Sequence, residues 1–164
     1  MDIVIRAALP AEYGPLGEIT AQAYLGDGLL GPGEAFYAEV LRDVAARAAD
    51  GEVLVAVDDG VLLGGVTFAP PGSPLCDIAG PGEAEFRMLA VSRAARGRGV
   101  GEALVRACTA RARELEGVTR LVLSTQSGMT GARRLYGRLG FVRTPERDWA
   151  PVPGLTLLTY LLQL

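Results

Sequence analysis

Residues 85–101 read EFRMLAVSRAARGRGVG, and the reading of this stretch decides the fold. Its first half extends an apolar run that predicts a strand over Glu83–Val91. The glycines and arginines that follow make a turn. Beyond the turn, Leu104, Val105, Cys108, Ala112 and Leu115 recur at helical spacing and predict an amphipathic helix over Val100–Glu116. A strand therefore feeds a glycine-rich turn that opens a helix. Such a helix end presents unpaired N–H groups and the positive end of the dipole. Gly97, Gly99 and Gly101 let the backbone come close to a ligand, and Arg96 and Arg98 add positive charge. Together these predict a phosphate or diphosphate site. Taken alone, the same turn also reads as a solvated basic loop at a helix entry. Two other phosphate motifs are excluded. There is no GxxxxGK[ST], and Gly97-x-Gly99-x-Gly101 does not fit GxGxxG.

The rest of the chain supplies a mixed set of elements. Ile3–Ala8 predicts a strand, and Pro10 opens a helix to about Leu25. Gly26–Gly33 reads as a loop and Glu34–Ala49 as one helix ended by Asp50-Gly51. Glu52–Val57 and Val61–Phe68 form a hairpin across Asp58-Asp59-Gly60. Ala69–Gly82, rich in proline and glycine, is a long loop of the kind that is usually functional or flexible. Further strands are expected at Leu121–Thr125, Phe141–Arg143 and Leu155–Leu164, with a helix over Thr130–Leu139. The fold class is α/β (α+β), with a hairpin followed by strand–helix–strand crossovers. No repeat or linker divides the chain, so residues 1–164 read as a single domain.

Composition narrows the chemistry. The chain has 164 residues, 49% of them hydrophobic, and a net charge of −3. That sign argues against a nucleic-acid partner. The longest apolar run, Leu155–Leu162, is too short to cross a bilayer, and Met1–Leu9 has no signal-peptide pattern. The expected compartment is the cytosol (cytoplasmic), with no membrane partner. Cys76 and Cys108 lack metal-type spacing and read as free thiols. Histidine is absent. That removes Ser-His-Asp and Cys-His catalysis and argues against a zinc site, so no metal is expected.

A second stretch, Ala132-Arg133-Arg134-Leu135-Tyr136-Gly137-Arg138-Leu139-Gly140-Phe141, follows the first in the chain. With Arg96-x-x-Gly99-x-Gly101, it resembles the GCN5-related N-acetyltransferase (GNAT) family. That family shows Arg/Gln-x-x-Gly-x-Gly/Ala and later Ala-x-x-Leu-Tyr-x-x-x-Gly-Phe. The motifs cover about residues 52–143, and the order of elements extends the likeness along the chain. The resemblance implies the GNAT fold, a mixed, mostly antiparallel sheet of about six or seven strands flanked by about four helices. It implies an N-acetyltransferase that moves an acetyl group from acetyl-CoA to a primary amine of a small molecule or peptide.

The resemblance also implies roles for named residues. Backbone N–H groups of Arg96, Gly97, Arg98, Gly99, Val100 and Gly101 would hold the CoA diphosphate. Leu89, Ala90 and Val91 would pair with the amides of the pantetheine arm, as an added strand pairs with a sheet edge. The N–H near Leu89 would stabilise the oxyanion. Tyr136 would contact the cofactor and protonate the leaving thiolate. Glu85 would be the base, with Glu83 in reserve and a water chain as the alternative. Arg87 shares the face of Glu85 and could pair with it. Many members carry Asn where this chain has Met129, which puts one cofactor or water contact aside. A homodimer is among the assemblies the resemblance suggests. Two other readings stay open. One is a non-catalytic acyl-CoA sensor, which Tyr136 speaks against. The other is a nucleotide-binding interaction protein, which would bind ATP or NAD in place of CoA.

Overall fold

A computed structural model describes residues 2–26 and 34–164. Most of the expected Gly26–Gly33 loop lies outside the described residues. Strand β1 (Val4–Ala7) leads through a 3-10 turn at Pro10–Glu12 into α1 (Tyr13–Gly26). The helix expected over Glu34–Ala49 is two helices, α2 (Glu34–Arg42) and α3 (Val44–Asp50). Asp43 makes the break. Its side chain accepts a hydrogen bond from the Ala46 N–H and so caps the second helix instead of continuing the first.

The hairpin forms as read, from β2 (Glu52–Asp58) and β3 (Val61–Ala69). Asp59 and Gly60 both take positive φ, 49° and 78°, as a tight two-residue turn requires. Alternation along β2 then builds two cores. Val53, Val55 and Val57 pack with Leu16 of α1 and Val44 of α3. Leu54 and Ala56 face the other way, into the larger cluster. That cluster is closed by α4 (Val100–Glu114) and α5 (Thr130–Arg138). The sheet is thus covered on both faces.

β4 (Glu83–Val91) crosses through α4 to β5 (Arg120–Gln126), and these two strands run parallel. Every other strand pair is antiparallel. β6 (Val142–Arg143), β7 (Trp149–Val152) and β8 (Leu155–Gln163) complete a sheet ordered β1-β2-β3-β4-β5-β8-β6, with β7 also on β8. β7 was not foreseen as a strand. It contains Pro151 and pairs with β8 only through Trp149 and Val152, so its sequence lacks an alternating signal. The described residues hold eight strands and five α-helices, one strand and one helix more than expected. No helix among them is long and apolar enough to cross a membrane.

Candidate active site

The site is made by two irregularities in β4. The first is a bulge. Ala84 and Phe86 point into the α4-side cluster, and simple alternation would send Met88 there too. Instead Met88 has φ 55° and packs with Tyr24 and Leu41 on the opposite face, after which Leu89 rejoins the α4 side. The extra residue shifts the register against β3 between Gly65 and Thr67. The second is a splay. β4 and β5 pair at Glu83–Arg120, Ala84–Leu121 and Glu85–Val122, and the register carries no pair beyond. It gives Met88 and Leu89 no partner on β3 or β5.

A cavity of about 60 Å3 lies in that splay. Its walls include Leu89 from β4, Ser124 and Gln126 from β5, and Tyr136 from α5. The sequence-predicted Leu89 and Tyr136 are therefore brought together. Tyr136 is 4% exposed, and its ring packs 5.9 Å from Phe86, 5.9 Å from Phe141 and 5.7 Å from Tyr160. Burial raises its pKa well above that of a free phenol, so it stays protonated and can only donate until a strong base appears. Met129 also lines the cavity, and its sulfur accepts a 3.6 Å contact from the Thr125 hydroxyl.

β4 ends against the glycine loop. A 3-10 turn at Arg93–Ala95 leads to Arg96, and Gly99 caps α4 in the left-handed region at φ 80°. No side chain caps this end, so the first N–H groups of α4 keep their donors for a ligand. A Cβ added at Gly97 or Gly99 would meet nothing within 4 Å. The loop thus combines open space, a helix dipole and bare backbone, which fits a diphosphate. Arg98 pairs with Asp58 at 3.1 Å. Arg96 lines a second cavity of about 310 Å3, between Gln22 and Ala23 of α1 and Val91, Ser92 and Arg93.

The two glutamates sit differently from Tyr136. Glu85 is fully buried and does not line the cavity. Its Oε1 accepts three consecutive backbone N–H groups, from Asp77 (3.0 Å), Ile78 (2.9 Å) and Ala79 (2.9 Å). Its Oε2 has no hydrogen-bond partner among the described residues. Burial raises its pKa above the usual carboxylate value, and the Ile78 and Ala79 amides only partly offset this. Arg87 does not pair with it. Arg87 lies 3.4 Å from the Asp77 carboxylate and donates to the Leu75 carbonyl at 3.1 Å. Both partners belong to the loop after β3, whose folding back the sequence did not disclose. Burial of Glu83 opposes its ionisation, but hydrogen bonds from Arg147 and the Gly80 N–H outweigh burial and hold its pKa low. Arg120 adds an ion pair at 3.0 Å. A carboxylate so committed is a poor base.

Sequence reasoning missed Tyr24, Tyr37 and Arg87 as cavity walls. Tyr24 and Tyr37 come from separate helices and meet edge-on at 6.5 Å, a contact with no local signature. Neither thiol is set up as a nucleophile. Burial raises the pKa of both Cys76 and Cys108, and no low-pKa thiolate results. Among the described residues no group of His, Cys, Asp and Glu could hold a metal ion.

The acetyltransferase (GNAT) family model matches residues 18–141, a span that includes the bulge, the splay and the glycine loop. The chain belongs to the GNAT acetyltransferase family. Solved structures share its fold. A GNAT-family acetyltransferase of Staphylococcus aureus Mu50 aligns at TM-score 0.75 and 14% identity, covering 99% of each chain. A ribosomal-protein-alanine N-acetyltransferase of Brucella melitensis aligns at 0.68 and 23%, covering 98% of this chain and 99% of that one. The yncA protein of Salmonella typhimurium, solved with its cofactor acetyl-CoA, aligns at 0.66 and 23%, covering 100% and 95%. No curated protein matches the chain.

Proposed function

We propose that the chain is a single acetyltransferase domain that transfers the acetyl group of acetyl-CoA to a primary amine. The observation that carries this reading is the cavity where β4 and β5 part. It brings Tyr136 of α5 together with Leu89 of β4, the strand that leads through a 3-10 turn to the glycine loop. The N–H groups from Gly97 to Gly101 hold the diphosphate of the donor, the Arg96 N–H being donated to the Arg93 carbonyl at 3.3 Å, and Leu89–Val91 pair with its amide-bearing arm. The thioester supplies an activated acyl carbon. The neutral amine attacks that carbon, the C–N bond forms, and the C–S bond breaks. The Leu89 N–H stabilises the charge that builds on the carbonyl oxygen. Tyr136 gives its proton to the departing sulfur, and the proton that the amine sheds returns through water to restore the phenol. The amine's surplus proton leaves toward Glu85, whose raised pKa brings it closer to the amine and whose Oε2 is uncommitted among the described residues. Glu85 does not line the cavity, so the transfer runs through water.

The assay is CoA-thiol release from acetyl-CoA over a panel of amines, amino acids and peptides, beside calorimetry with CoA. Release that depends on an amine supports the proposal, and the absence of CoA binding at millimolar concentration refutes it. The lack of any carboxylate among the described residues of the cavity wall favours one second reading, a module that binds acyl-CoA without turnover. CoA binding with no release from any amine would select it.

A further inference from the structure

Arg87 is the one charged side chain among the described residues that line the cavity at the splay. We infer that Arg87 reads a carboxylate on the acceptor. The amine to be acetylated then belongs to a small amino-acid-like molecule, its anionic end on Arg87 and its nitrogen at Leu89. This deepens the acetyltransferase reading above and rests on it.

Arg87 is held in place for such a task. Its Nη1 donates to the Leu75 carbonyl at 3.1 Å, and its Nε lies 3.4 Å from the Asp77 carboxylate. Both partners are on one loop, and Glu85 fastens that loop through three amides beginning at Asp77. A guanidinium carries five N–H donors in a planar fork, so two such contacts leave donors for a ligand carboxylate. Asp77 balances part of the charge from outside the cavity, since it is not among the lining residues. The fork is thereby oriented without being consumed.

The neighbours suit the same ligand. Tyr24 and Tyr37 line the cavity, and burial keeps both phenols protonated despite the nearby Arg87. They present O–H donors, and Ser124 and Gln126 add neutral polar groups on the facing strand. The described lining residues offer no carboxylate to an ammonium group. A polyamine would place a second cation beside Arg87 with no carboxylate among the described lining residues to compensate it. Arg87 and Leu89 flank the bulge at Met88 and line the same cavity. The small cavity keeps the carboxylate within a few bonds of the amine.

The test pairs each acceptor with its neutral twin. CoA release is measured for α-amino acids and short ω-amino acids against the matching carboxamides, with spermidine included. The expected result is at least one acid used about tenfold or more better than its amide. In Arg87→Met that acid-to-amide ratio should fall toward one, through a KM for the acid raised roughly ten- to a hundredfold. Arg87→Lys should recover part of the ratio, because charge returns without the fork. Equal use of acids and amides, or spermidine as the best acceptor, overturns the inference. So does an Arg87→Met variant that loses acid and amide alike, since Arg87 would then serve only to clamp the loop. Calorimetry with CoA separates the two levels. A chain that binds CoA and acetylates amines without regard to the carboxylate loses this inference alone. A chain that binds no CoA loses the acetyltransferase reading as well.

Discussion

Gly99 and Gly117 form a matched pair on which the diphosphate assignment can be tested. Both have φ 80°, and at both a Cβ would meet nothing within 4 Å. They flank the same helix, Gly99 as the N-cap of α4 and Gly117 beyond its C-terminal end. Replacing either by alanine forces an L side chain into the left-handed region, which costs about 1–2 kcal/mol. For a chain of this size that lowers Tm by roughly 2–8 °C. The two variants should be destabilised alike, since neither new methyl group collides with protein. They should differ toward CoA. At Gly99 the methyl group enters the space beside the first amides of α4 and displaces the diphosphate from them. Losing one charge-assisted hydrogen bond weakens binding by about 1.5–3 kcal/mol, roughly ten- to a hundredfold in Kd. Thermal denaturation and calorimetry on both variants give the two readouts. If Gly99→Ala and Gly117→Ala bind CoA equally well, the diphosphate does not sit at this helix end, and the argument fails.

Three further expectations follow from the geometry. Tyr136→Phe keeps the ring packing against Phe86, Phe141 and Tyr160, so Tm should barely move. Its turnover should fall by more than about tenfold with CoA affinity retained, and full activity would remove Tyr136 as the acid. In Glu85→Gln the side-chain amide oxygen still accepts from the loop but takes up no proton. The rate should drop and lose its rise with pH, and an unchanged pH–rate profile would send the proton elsewhere. Glu83 and Asp148 have pKa values below the usual carboxylate range, so the unfolded chain binds more protons than the folded one. Stability should then be lost as pH falls through about 4 and below. Glu83→Gln should be less stable than the parent by about 2 kcal/mol at pH 7, and the gap should close toward pH 3. A gap that is constant across pH would mean the ion pairs contribute nothing.

What the sequence disclosed was local in origin. The strand–turn–helix at Glu83–Glu116, the hairpin at Asp59-Gly60 and the two-faced pattern of β2 each follow from residues close in the chain. The split of the second helix turned on whether Asp43 would cap or be carried along. That choice depends on Leu41 and Val44 docking in separate clusters. The cavity wall was legible only in part. Tyr136 and Leu89 fall in motifs, whereas Tyr24, Tyr37 and Arg87 converge through packing between distant elements. Glu85 was visible as a carboxylate on β4. That the loop at 77–79 would turn its amides onto one of its oxygens was not, because a chain rich in proline and glycine leaves its own path undetermined.

The sheet is fastened across its middle by three rungs at one end of the β4–β5 seam. Glu83 stands at the closed end, tied to Arg120 on β5 and to Arg147 ahead of β7. It therefore pins the closed end of that seam. Further along, the aromatic cluster around Tyr136 bridges the two sides, with Phe86 on β4 and Tyr160 on β8. Loosening the pin would widen the mouth without touching any group that handles the acyl chain. A change at Glu83 should thus be felt first as a loss of grip, and only afterwards as a loss of chemistry.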